Sequence, residues 1–124
     1  MGAKSKRKGK RGELEAAAEI RRLFRCEARR GQQYAGDATA PDIQTAIPGV
    51  HFEVKRAEHL SLYKALEQAT WDAGVAMLDA GVRVPVVLYR ANQHDWAAIL
   101  WLADLPWLAT QLYLTLAENA PCPT

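Results

Sequence analysis

The chain has 124 residues, 49% of them apolar, and a formal net charge of +2. That length fits one domain with a core of ordinary size, and the apolar share excludes a disordered chain. No run of about 18 uncharged apolar residues occurs and no apolar segment follows the basic amino terminus, so a cytoplasmic protein is expected, with neither a membrane span nor a secretory signal.

The charge is unevenly placed. Residues 1–30 hold eleven basic groups against four acids, whereas the rest of the chain holds five against ten. Such polarity points to a polyanionic partner for the first quarter of the chain; a solubilising tail is the plainer alternative. The two cysteines, Cys26 and Cys122, are far apart and form no CxxC pattern, so neither a zinc site nor a disulfide framework is expected.

Residues 1–11 carry Lys4, Lys6, Arg7, Lys8, Lys10 and Arg11 with almost nothing apolar between them, and are expected to form a flexible basic arm. Helical spacing runs from residue 12 to 27, with Ala17, Ile20 and Phe24 on one stripe. Glu13 falls on the same stripe. A carboxylate there either complements the helix dipole or projects over a sheet toward other acids. Residues 28–41 read as a polar connection that includes Arg29, Arg30, Tyr34, Asp37 and Thr39, and Pro41 favours an extended entry to the next element.

Two short strands follow, joined by a turn at Ile47-Pro48-Gly49. Side chains two apart on a strand share a face, so Glu53 and Lys55 point the same way, and the hairpin can carry Asp42 back beside them. His51 lies on that face too; it is expected to be a solvated histidine at the strand start, with metal ligation as the alternative.

Ser61 can cap a helix whose apolar positions include Leu62, Leu66, Ala69, Ala73, Ala76 and Ala80, with Gly81 as its stop. Gln68, in its second turn, is close enough in sequence to Lys55 to lean over the same site. Residues 82–90 read as a β-branched strand and 96–102 as a buried strand paired to it. Asp104 and Pro106 mark a last helix over 106–118, and 121–124 form a frayed tail. Trp96 and Trp101 are expected in the core, while Trp107 fits either core or a subunit interface. The fold expected is α/β, a mixed β-sheet flanked by helices in the order α-β-β-α-β-β-α, with a single domain over residues 12–120.

Two carboxylates and an ammonium converging at a sheet end suit a divalent metal and a phosphodiester. Magnesium takes oxygen ligands, usually one or two carboxylates with waters and substrate oxygens. Asp42 and Glu53 can supply them, and the Val54 carbonyl can add another. Lys55 can orient or help deprotonate a nucleophilic water, or stabilise the transition-state oxyanion.

This constellation resembles the PD-(D/E)XK nuclease superfamily, and within it the archaeal-type Holliday junction resolvases and their phage relatives. The residues that carry the resemblance are Gly12-Glu13, Gly36, Pro41-Asp42-Ile43 and Phe52-Glu53-Val54-Lys55, then Leu62-Tyr63, Gln68 and Val84-Pro85-Val86-Val87. They span roughly residues 8 to 105, and Gly81-Val82-Arg83-Val84 is similar to the virus-type replication-repair nucleases of the same superfamily.

The resemblance implies a restriction-endonuclease-like fold and a structure-specific endodeoxyribonuclease that resolves four-way junctions by paired nicks. It implies magnesium as cofactor, with manganese as substitute, and Glu13, Asp42, Glu53, Lys55 and Gln68 as catalytic residues. Asp42, Glu53 and Glu13 would hold the metal, and the basic arm with Arg29 and Arg30 would contact DNA. Many of these resolvases carry a serine in the loop before the motif aspartate; here Thr39 is the hydroxyl available in its place. A homodimer follows from the two-fold symmetry of a junction, and a phage-encoded member would act in the host cytoplasm. The alternatives are a nuclease of the same superfamily acting on flaps, forks or duplex DNA, and a non-catalytic junction-binding protein. An RNA-binding domain fits least, for want of aromatic RNA-binding motifs.

Overall fold

The structure, a computed structural model, describes residues 3–31, 41–80 and 84–119. Helix α1 spans Ala3–Phe24 and buries Ala16, Ala17 and Ile20. It starts well before the expected residue 12, so residues 3–11, read as an extended arm, continue the helix. Lys and Arg are good helix formers, and repulsion between like charges on a helix costs only tenths of a kcal/mol per pair, so a helix nucleated by the amphipathic part extends through them. At the other end it stops before the expected residue 27. Arg25 takes a left-handed φ of 52°, which no α-helix continues through.

The reversal at Arg25 releases a strand that the sequence did not announce, β1 (Ala28–Arg30). It pairs antiparallel with β2 (Ile43–Thr45), Ala28 opposite Thr45 and Arg30 opposite Ile43. Its polar residues make it an edge strand, ordered by pairing and not by a buried face of its own. β2 in turn pairs with β3 (Val50–Arg56), Ile43 opposite Phe52, as the expected hairpin. Gly49 in the turn has φ 74°, and a Cβ there would lie 2.4 Å from the Trp107 ring, so both backbone and packing demand glycine.

α2 (Leu62–Ala80) carries the chain from β3 to the parallel strand β4 (Val84–Arg90), with Glu53 in register with Val87. β5 (Ala97–Ile99) pairs antiparallel with β4, and α3 (Leu105–Glu118) follows one 3-10 turn. The result is an open five-stranded mixed sheet in the order β1-β2-β3-β4-β5 with three helices. The stretch 96–102, expected as a buried strand, is a three-residue edge strand whose Ala97 and Ala98 are exposed. An edge strand has one neighbour, and its apolar residues Trp96, Ile99 and Trp101 are only half buried.

Alternation on β3 and β4 divides the core. Val50, Phe52, Val84, Val86 and Leu88 pack with α1 and with Leu108 of α3, whereas Val87 packs under Ala65, Leu66 and Ala69 of α2. Leu62, expected on the inner stripe of α2, is exposed at the helix start. No helix among the described residues is long and apolar enough to cross a membrane. The tail 121–124 and the segment 32–40, with Thr39, lie outside the described residues.

Candidate functional site

Because Glu53 is in register with Val87, and Val87 packs under α2, the alternating set His51, Glu53 and Lys55 lies on the α2 side of the sheet. Asp42 stands at the start of β2, tied to β3 at both ends of its residue. Its N–H donates to the Phe52 carbonyl (2.9 Å), and its Oδ2 accepts from the Val54 N–H (2.8 Å). These bonds fix the carboxylate against Glu53, with which it shares a hydrogen bond. The hairpin thus brings Asp42 and Glu53 together as expected.

Glu53 is almost fully buried, and its carboxyl is pushed up to about 7. Burial is the main cause, the neighbouring Asp42 charge and hydrogen bond add to it, and the His51 ring opposes it. Glu13 is also raised, first by burial and then by the Asp42 charge, against the opposing pull of Arg30. Asp42 therefore lies within electrostatic reach of both Glu13 and Glu53. Glu13 lies well past the first turn of α1, within reach of the Asp42 charge, and its carboxylate is engaged by the Arg30 guanidinium.

His51 corrects the expectation of a solvated histidine. It is 0% exposed, with Nε2 2.7 Å from Glu53 Oε1 and with Nδ1 lacking any partner among the described residues. Position 51 lies under α2 in the centre of the sheet, flanked by β4 through its register with Pro85, and no water reaches it. The residue the sequence reading missed is Asp72. It is 5% exposed on α2, and ligand atoms of His51, Glu53 and Asp72 lie within 4.8 Å of one another. Among the described residues this is the group of three that converges at metal-ligand spacing; the expected trio of Glu13, Asp42 and Glu53 is not. A signal for Asp72 existed. It lies three residues after Ala69 and one before Ala73, an acid set into the buried stripe of a helix.

Gln68 Nε2 donates to Asp72 Oδ1 (3.2 Å), so the expected helical glutamine joins the cluster by way of that acid. Lys55 and Gln68 line one cavity beside it. Of the expected DNA contacts, Lys10 and Arg11 are exposed on α1, and Lys4, Lys6, Arg7 and Lys8 fall in its first turns. Arg29 is exposed and bonds Gln44 (3.2 Å), while Arg30 is committed to Glu13. His59 and His94 are exposed. Trp101 donates to Thr70 Oγ1 (2.8 Å) and rests against Tyr63 at the rim of the second core cluster.

No family model, curated protein or solved structure matches the chain.

Proposed function

We propose that the chain is a magnesium-dependent endodeoxyribonuclease with a restriction-endonuclease-like fold, acting on four-way DNA junctions by paired nicks. The observation that carries this reading is the pinning of Asp42 between Phe52 and Val54, which holds its carboxylate against buried Glu53 with Lys55 one alternate residue further on. Two carboxyls are pressed together, and burial and the Asp42 charge raise the Glu53 carboxyl to about 7. A divalent ion with a preference for oxygen fits that donor set, and manganese fits it too.

Asp42 and Glu53 would hold the ion, with the Val54 carbonyl able to contribute; Glu13 would act at longer range. A bound magnesium supplies a water of lowered pKa and neutralises charge on the phosphate. The protein's share is positional. The Val54 N–H fixes Asp42, His51 fixes Glu53, and Gln68 fixes Asp72, so none of these side chains needs to reorganise when DNA arrives. Lys55, half-exposed and without an ion pair among the described residues, is placed to orient the water and to stabilise the developing phosphorane charge.

The basic face of α1 supplies sequence-independent phosphate attraction. A homodimer would set two such sites on strands of like polarity in a two-fold symmetric junction. Cleavage of an end-labelled junction in magnesium by Asp42→Asn and Lys55→Ala tests the assignment. Each substitution is expected to slow nicking by about 10²-fold or more; wild-type rates in both variants would remove these residues from the chemistry.

A further inference from the structure

A cavity of about 690 Å³ lies between the amino-terminal half of α1, the end of β3 and the first turns of α2, with Gly9, Lys55, His59, Lys64 and Gln68 in its lining. We propose that this trough holds a single DNA strand leaving the scissile phosphate, so that the substrate is presented unpaired at that point. The inference rests on the nuclease reading above and names the form of its substrate.

The charge left available in the trough is cationic. Lys55, Arg56 and Lys64 line it against one acid, Glu58, which accepts from the Asn92 N–H at 2.8 Å, while Arg56 is held by the Asn92 side chain at 2.8 Å. Among the described residues neither Lys55 nor Lys64 has an ion-pair partner, and Lys64 is exposed. Two uncommitted ammonium groups, one on β3 and one on α2, in the lining of one trough suit the phosphates of one backbone. The volume falls in the range of about 300–1,000 Å³ that takes drug-sized ligands, which is the scale of a nucleotide.

Gly9 carries the sharpest part of the case. Gly12, one turn on, is explained by packing, since a Cβ there would lie 2.8 Å from the Arg56 Cβ. Among the described residues Gly9 has nothing within 4 Å of the same position, so no described contact requires it. It nevertheless costs about 1 kcal/mol of helix propensity relative to alanine. A glycine in the wall of a trough lets a ligand backbone approach the helix main chain closely. Continuity with the acids is also built in. Gln68 lines the trough and bonds Asp72, and Lys55 lines it two residues from Glu53.

The test uses the full chain carrying Asp42→Asn, in calcium, with fluorescence anisotropy of a labelled single strand and of a duplex of the same sequence. Lys64→Ala is expected to weaken single-strand binding about threefold to tenfold and to lower its salt slope by about one, with duplex binding unchanged. Gly9→Leu, whose side chain leaves a Cβ position with no described atom within 4 Å, is expected to weaken the single strand by a similar factor at an undiminished melting temperature. If both variants bind the single strand as the parent does, or lose single strand and duplex in parallel, the trough is not a single-strand site and the nuclease reading stands without it. If the parent binds neither form, there is no single-strand site and this inference falls, whereas the nuclease reading, whose substrate is a junction, stands.

Discussion

The Nε2 atom of His51 lies 2.7 Å from Oε1 of Glu53, and both side chains are buried beneath α2. A carboxyl in that position, pressed also by Asp42, holds its proton up to about pH 7, well above its ordinary range. The sign of the consequence follows from proton counting. Between the ordinary carboxylate range and pH 7 the folded state keeps a proton that the unfolded state gives up, so folding stability falls as pH rises through that window. Without divalent ions the protein is expected to lose on the order of 2 kcal/mol from pH 4.5 to 8 through this group. Glu53→Gln is expected to flatten the decline. Urea midpoints across that range, with and without the substitution, check it.

Divalent ions act in the opposite direction. They bind the deprotonated acids, so magnesium or manganese is expected to raise the melting temperature more at pH 8 than at pH 5.5. Adding EDTA to loaded protein at pH 8 should return the lower value, and Asp42→Asn should abolish most of the gain.

His51→Ala leaves Glu53 and Asp72 buried without the imidazole and opens a void under α2. A destabilisation of about 2–4 kcal/mol is expected in urea unfolding. A change within about 0.5 kcal/mol would mean that the ring makes no net contribution to the cluster.

Two glycines separate packing from backbone demands. Gly12→Ala drives a Cβ to 2.8 Å from the Arg56 Cβ, which is not the free end of a side chain, and is expected to cost about 1–3 kcal/mol. Gly9→Ala meets nothing among the described residues and is expected to stabilise α1 by up to about 1 kcal/mol. Thermal melts of the two variants side by side decide between these signs.

Replacing Lys4, Lys6, Arg7 and Lys8 by glutamine keeps helix propensity while removing charge from the first turns of α1. Junction affinity is expected to fall, and the slope of log affinity against log salt to flatten by about 0.9 for each phosphate no longer neutralised. An unchanged slope would show that these residues serve solubility alone.

The hairpin was legible in the sequence because its signals are local. Pro41, the Pro48-Gly49 turn and the alternation of Glu53 with Lys55 all act within a few residues. The helix α2 and the strand after it were legible for the same reason, from a long helical stripe followed by β-branched residues, whereas the parallel pairing of β4 with β3 was not read. What escaped was set by tertiary context. β1 forms because β2 offers Ala28–Arg30 an edge to pair with, and α1 stops where Arg25 turns left-handed; neither has a local signal. His51 was misplaced because strand alternation tells which face a residue takes but not how deeply a helix covers it. Asp72 was overlooked, though an acid on the buried stripe of α2 could have been seen once the stripe was drawn.

The pairing of Asp42 with buried Glu53 is tested most directly by one substrate panel. A labelled four-way junction, a flap and a matched duplex are incubated with the full-length protein in magnesium, in calcium and in EDTA. Magnesium is expected to give paired nicks on the junction faster than any cut on the flap or duplex, with no cleavage in EDTA. Failure to cut any of the three in magnesium or manganese, by protein that binds the junction, would contradict a nuclease centre built on these two acids.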